Sequence, residues 1–160
     1  MITKENLIKV INKETAKTIK AMNAFPKDRL LFAPHDRSRN AGRVMATFVF
    51  EMYLIESLVM GEKVDRSVFQ TYSPADLRTL IADFEKEVSH VVTTLGKMSE
   101  EDMNKEVEFA GKKMTGDEFT MGMIFDMIHH RGQLTVYIRL AGGQVPAIYG
   151  PSADDPTIGL

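Results

Sequence analysis

Four segments of the chain repeat apolar residues every three to four positions, and each one predicts a long helix. The first segment follows Thr3, which is suited to an N-cap, and runs to about Ala24. Its apolar residues form one stripe beside lysine and glutamate, as is typical of an amphipathic helix in a bundle. The stripe consists of Leu7, Val10, Ile11, Ile19 and Met22.

The second segment begins at Ser38 or Asn40 and continues to Gly61. Apolar residues cover nearly its whole circumference, which predicts a buried helix. Its exceptions, Arg43, Thr47 and Glu51, recur every four residues and therefore form a thin polar line along one side.

The third segment has Ser73 as its predicted N-cap, Pro74 as its first helical residue, and an end near Lys97. His90 falls opposite its apolar stripe, so this histidine is predicted to lie at the surface. Glu87 precedes His90 at the Glu-x-x-His spacing of di-metal bundle proteins, but the outward direction argues against that use.

The fourth segment spans Thr115 to Gly143, with Thr115 and Glu118 at capping-box spacing. It is apolar nearly all round, which again predicts a buried helix. One side nevertheless carries a group of polar residues, among which an unpaired charge would be costly to bury. These residues are Asp126, His130, Gln133 and Tyr137.

Together the segments predict an all-α fold, a four-helix bundle with long connections, in a single domain over residues 1–160. Between the third and fourth helices, residues 99–114 are compatible with a helical turn and with a small hairpin. A length of 160 residues with 44% hydrophobic content is enough for one domain with a core.

Charge and residue usage narrow the partners that the protein can have. The net charge is -2 and the basic residues are scattered, which argues against nucleic acid as a partner. The longest apolar stretch, 44–60, carries two glutamates and is shorter than the roughly 20 residues of a membrane span, so we expect a cytoplasmic protein without membrane association. The absence of cysteine leaves His, Asp and Glu as metal ligands.

The stretch DMIHHRGQLTVYIRLAG, which contains His130-Arg131-Gly132-Gln133, resembles the signature of the DinB-like (YfiT-like) family. In that family a His-x-x-x-His pair precedes Arg-Gly-Gln. The resemblance implies an up-down-down-up bundle, a homodimer, and a divalent metal held by this histidine pair with a third histidine from the second helix. The second histidine of the pair maps onto His130 and the first maps onto Asp126. The third maps at or near Thr47, on a helix without histidine, so Glu51 one turn further is the candidate replacement.

The resulting candidate metal ligands are His130, Asp126 and Glu51, in a cavity lined by Thr47, Gln133 and Tyr137. The cation is zinc, nickel, manganese or iron, or else no metal is bound. Two carboxylates beside one histidine shift the preference from zinc towards harder cations. If no metal is bound, Asp126 and His130 pair with each other, with Tyr137 or with Arg43, and Arg43 is also a candidate counter-ion for Glu51.

Two functions fit these observations. The first is a metal-dependent enzyme of the thiol transferase or hydrolase type, acting in a cavity between the second and fourth helices on an unidentified small molecule. The second is a metal-free, non-catalytic protein that keeps the fold and binds a small molecule or acts as a dimeric interaction protein. The absence of two of the three family histidines favours the second function.

Overall fold

The computed structural model describes residues 3–157, which form an all-α fold built on four long helices. Two short α-helices, a three-residue 3-10 helix (Lys27–Arg29) and one two-stranded antiparallel sheet lie in the connections. None of the helices in this part of the chain is long and apolar enough to cross a membrane. The elements are α1 (Lys4–Asn23), α2 (Ala41–Val59), α3 (Val68–Thr71), α4 (Leu77–Lys97), α5 (Glu100–Met103), β1 (Glu106–Phe109), β2 (Lys112–Thr115) and α6 (Gly116–Leu140).

The long helices form a ring in which α1 and α2 each pack against both α4 and α6. Hydrogen bonds between helix ends give their directions: α1 is antiparallel to α4 and parallel to α6, whereas α2 is antiparallel to α6 and parallel to α4. This is the predicted up-down-down-up order. The bonds join Lys4 to Met98, Arg29 to Ala141, Tyr137 to Arg39, and Thr94 to Glu56.

Local capping explains where most of the helices begin. The Asn40 side chain accepts from the Arg43 amide at 2.8 Å at the start of α2, and Thr115 and Glu118 form the predicted capping box of α6. The predicted start of the third long helix at Ser73 is wrong. That helix begins at Leu77, because the Asp76 carboxylate accepts from two backbone amides and is the stronger cap.

Residues 99–114 contain both of the structures that the sequence allowed. Ser99 caps the single turn of α5, and β1 then pairs with β2 from Glu106 opposite Thr115 to Phe109 opposite Lys112. The hairpin turns through Ala110 and Gly111, both with positive φ. The hairpin therefore brings Phe109 against Phe119 at the start of α6, with ring centroids 5.3 Å apart.

The prediction that α6 is buried all round is wrong. Phe125, Val136 and Leu140 are 63%, 57% and 55% exposed, and their spacing places them on one side of the helix. In a four-helix bundle the neighbouring helices bury only the inner side of each helix. An apolar outer side therefore faces solvent unless another surface packs against it.

On its inner side α6 is tied to α1 by Arg131, which is 2% exposed. Its guanidinium bonds the Glu14 carboxylate at 2.6 Å and the Thr18 hydroxyl at 3.3 Å. Tyr149, from the segment after α6, is 2.5 Å from both Arg131 and Glu14. The arginine of the HRGQ stretch therefore binds an acid of a neighbouring helix.

Candidate metal centre

Glu51 of α2 meets Asp126 and His130 of α6 across the bundle. Each residue offers one ligand atom, and the three atoms all lie within 4.8 Å of one another. His130 Nε2 is 3.7 Å from Asp126 Oδ2, which is too long for a hydrogen bond. One nitrogen and two carboxylate oxygens therefore face a common space.

Glu51 is the most unusual member of this group. It is 2% exposed, and within residues 3–157 neither of its carboxylate oxygens has a hydrogen-bond partner. Burial raises the pKa of the Glu51 carboxyl well above its ordinary value, and the nearby Asp126 carboxylate raises it further. A buried carboxylate normally has a partner, and a cation among these three residues would supply one. The donor set thus fits a divalent metal.

Asp126 and His130 lie nearer to solvent than the sequence predicted. The Asp126 side chain is 48% exposed and that of His130 is 21% exposed, so the expectation that both are enclosed is wrong for Asp126. The reason is that Asp126 lies towards the outer side of α6, next to the exposed Phe125. The centre is therefore buried at Glu51 and accessible from the Asp126 side.

A chain of hydrogen bonds leads away from the other ring nitrogen of His130. His130 Nδ1 is 3.1 Å from Gln133 Oε1, Gln133 Nε2 is 3.4 Å from the Tyr137 hydroxyl, and that hydroxyl donates to the Arg39 carbonyl at 3.2 Å. Since a carbonyl can only accept, the donors in this chain run from His130 towards Arg39. Nδ1 then carries a proton, and Nε2 is the ring nitrogen that faces the Asp126 carboxylate, 3.7 Å away.

Two residues of the predicted polar line on α2 have other roles. Thr47 is 8% exposed, donates to the Arg43 carbonyl at 3.1 Å and accepts from Arg39 at 3.2 Å. Arg43 donates to the carbonyls of Phe69 and Tyr72, so the alternative in which Arg43 is the counter-ion of Glu51 is wrong. Arg43 instead holds the segment around α3 against α2.

A pocket of about 260 Å³ next to Thr47 was not predicted from the sequence. Its walls come from four separate parts of the chain, with no shared motif that could have linked them. The loop before α2 and the loop before α3 each contribute an arginine, and three aromatic rings complete the walls. The lining includes Arg39, Arg66, Phe50, Phe69 and Phe109.

A second group of possible ligands lies on the outside of the bundle, between α2 and α4. His90 Nδ1 is 3.7 Å from one oxygen each of Glu56 and Glu87, and Glu56 also accepts from Thr94 at 2.9 Å. The His90 side chain is 47% exposed, which confirms its predicted surface location. These contacts describe a solvated ion-pair cluster, which is common on protein surfaces.

Comparison with known proteins gives the same fold. A DinB-like protein from Bacillus cereus ATCC 10987 superposes with a TM-score of 0.79 at 25% identity, covering 91% of this chain and 97% of that one. A DinB-like protein from Bacillus subtilis, YjoA, superposes with a TM-score of 0.68 at 23% identity, covering 85% of this chain and 91% of that one. A mycothiol-dependent maleylpyruvate isomerase superposes with a TM-score of 0.63 at 13% identity, covering 89% of this chain and 64% of that one.

In sequence, the chain is 40% identical over 53 residues to the uncharacterized protein YrdA of Bacillus subtilis (strain 168). That match covers 33% of this chain and 32% of YrdA, about a third of each protein. The sequence model of the DinB family matches residues 1–159. The chain therefore belongs to the DinB family.

Proposed function

We propose that this protein is a metal-dependent enzyme in which Glu51, Asp126 and His130 hold a divalent cation. The observation that carries the proposal is the buried Glu51 carboxyl, whose two oxygens lack a hydrogen-bond partner within residues 3–157 and which shares a common space with a second carboxylate and a ring nitrogen. A site of this kind is energetically unfavourable without a cation and favourable with one.

The donor set bears on which cation binds. Imidazole suits zinc, iron and nickel, whereas two carboxylates favour harder cations such as manganese, so manganese or iron is the best match and zinc or nickel is a weaker one. A metal bound here would lower the pKa of a thiol or water ligand and so supply a nucleophile at neutral pH. Gln133 and Tyr137 would keep His130 Nε2 directed at the cation through the hydrogen-bond chain.

We assign the reaction to the thiol transferase or hydrolase type. A relative in fold is named for its dependence on mycothiol, a low-molecular-weight thiol. This chain has no cysteine, so a reacting thiol would have to come from such a molecule. We place the protein in the cytoplasm, where low-molecular-weight thiols remain reduced.

We also propose that the protein is a homodimer that pairs through the outer side of α6. Phe125, Val136 and Leu140 form an exposed apolar stripe there, and such stripes on soluble proteins mark association surfaces. Self-association of this stripe would bury it around a two-fold axis.

A second function remains supported by a specific observation. Only one histidine is present among the three candidate ligands, and a pocket suited to a small molecule lies beside them. A non-catalytic, small-molecule-binding protein would keep the pocket without the metal.

Elemental analysis of protein purified without an affinity tag separates the two functions. We expect about one equivalent of a transition metal per chain in the wild type, and a loss of that metal in His130→Ala. Wild-type protein that contains no metal after expression in metal-supplemented medium, and takes up none on dialysis, would favour the binding protein.

A further inference from the structure

The pocket beside Thr47 combines positive charge with aromatic walls. Arg39 and Arg66 lie on its rim, and Phe50, Phe69 and Phe109 form its apolar sides. Its volume of about 260 Å³ is slightly below the usual range for ligand sites, roughly 300 to 1,000 Å³, so it suits a small molecule of about one ring.

The two rim arginines lack acidic partners. Within residues 3–157, neither Arg39 nor Arg66 forms an ion pair, whereas Arg131 and Arg139 each bind a carboxylate at 2.6 and 2.7 Å. The Arg39 guanidinium stands 5.5 Å from the centre of the Phe69 ring and donates to the Thr47 hydroxyl at 3.2 Å. Arg39 is thus held in position with donors to spare, and a guanidinium pairs most readily with an anion.

The pocket adjoins the candidate metal centre. Thr47, in its wall, is one turn before Glu51 on α2, and Phe50 directly precedes Glu51. The backbone carbonyl of Arg39 also accepts from Tyr137, which ends the hydrogen-bond chain from His130. Arg39 therefore lines the pocket with its side chain and, through its backbone carbonyl, ends the hydrogen-bond chain that orients His130.

We propose that this pocket binds a small aromatic or apolar carboxylic acid, with Arg39 and Arg66 on the carboxylate and the three phenylalanine rings around its body. A planar carboxylate matches the fork of a guanidinium, and the aromatic walls require an apolar body, which a free inorganic anion lacks. As the identity of a substrate, this inference rests on the proposed function. As an anion-binding site, it stands without the metal.

Benzoate is the probe that tests the pocket, because it is one ring with one carboxylate. Titration of metal-free, ¹⁵N-labelled protein should give saturable shifts at the backbone amides of Phe50, Phe69 and Phe109. The neutral isostere benzamide should bind about tenfold more weakly or worse, since it removes the charge that the arginines recognise. Phenyl phosphate, tested in parallel, distinguishes a carboxylate site from a phosphate site.

Variants assign the effect to the rim arginines. Arg66→Gln should weaken benzoate binding about tenfold, because it replaces the charged guanidinium by a shorter, neutral polar side chain. Arg37→Gln is the matched control: it removes an equal charge from the exposed loop before α2 but does not line the pocket, so benzoate affinity should stay within about twofold. Amide spectra that are unchanged elsewhere verify that each variant is folded.

The inference is overturned if benzoate gives no saturable shifts at concentrations well above the millimolar range, or if benzamide binds as tightly as benzoate. It is also overturned if Arg37→Gln loses as much benzoate affinity as Arg66→Gln, or if phenyl phosphate binds about tenfold more tightly than benzoate. Parallel titrations with manganese and with zinc separate this failure from failure of the proposed function. Protein that binds either metal but not benzoate refutes the pocket alone. Protein that binds benzoate but neither metal keeps the pocket and refutes the metal-dependent enzyme.

Discussion

Replacing Glu51 by glutamine should stabilise the metal-free protein, and the gain should grow with pH. Glu51 is 2% exposed without a hydrogen-bond partner among the described residues, and the Asp126 carboxylate lies beside it. Both features raise its pKa in the folded state above the ordinary value of 4.5. The folded protein therefore holds a proton that the unfolded chain releases, and wild-type stability falls as pH rises above that value.

The size of the effect follows from linkage. Each pH unit between the unfolded and folded pKa values costs about 1.4 kcal/mol, so two pH units, from pH 5 to pH 7, set an upper bound of roughly 3 kcal/mol on the loss in the wild type. Glutamine has a similar shape and does not titrate, so the free energy of unfolding of the variant does not carry this pH-dependent loss.

Urea unfolding followed by far-ultraviolet circular dichroism measures the difference at pH 5, 6 and 7. A chelator keeps the protein metal-free, and one protein concentration throughout excludes an effect of dimerisation. Adding a metal should reverse the sign, because a cation at 100 times its Kd stabilises the wild type by about 2.7 kcal/mol and the variant lacks a ligand.

Glu62→Gln is the matched control, because Glu62 is an exposed glutamate just after α2. Its difference from the wild type in free energy of unfolding should not change between pH 5 and 7. If the difference for Glu51→Gln is equally independent of pH, or falls as pH rises, burial does not raise the pKa of the Glu51 carboxyl. The reason for placing a cation there would then be lost.

Three further predictions concern the centre and the outer side of α6. Asp126→His restores the His-x-x-x-His pair of the family and should raise zinc affinity at least about tenfold by isothermal titration; no gain would refute the correspondence. Gln133→Leu removes the acceptor for His130 Nδ1 and should lower zinc affinity about 10- to 100-fold, with a mixed tautomer in long-range ¹H–¹⁵N spectra; an unchanged Nδ1-H signal would contradict the chain. Phe125→Asp should convert a dimeric mass in light scattering to a monomeric one, whereas a monomeric wild type would contradict pairing.

Much of the fold could be predicted because helical periods and caps are local. Asn40 and Thr115 cap helices where the sequence placed them. Ser73 and Asp76 are both good caps, however, and the choice between them depends on backbone geometry that the sequence alone does not specify.

The candidate site was only partly predictable. Spacing put each of Glu51, Asp126 and His130 on a polar line of its own helix, and the family resemblance grouped them as candidate ligands. The structure brings the three together. The partners of Arg43 lie 26 and 29 residues further along the chain, and both are carbonyls, which carry no sequence signal. The exposure of Asp126 could not be predicted, because α6 carries apolar residues on both its inner and its outer side. An apolar pattern of this kind does not show which side packs inside the bundle.

Zinc affinity in His130→Ala and His129→Ala, measured by competition with a chromogenic chelator, tests the metal centre most directly. The two histidines are neighbours on α6, but His129 is exposed and about 100° away round the helix, so it serves as an internal control. We expect His130→Ala to lower zinc affinity at least about 100-fold and His129→Ala to leave it within about twofold of the wild type. Equal affinities in all three proteins, or an equal loss in both variants, would contradict this expectation.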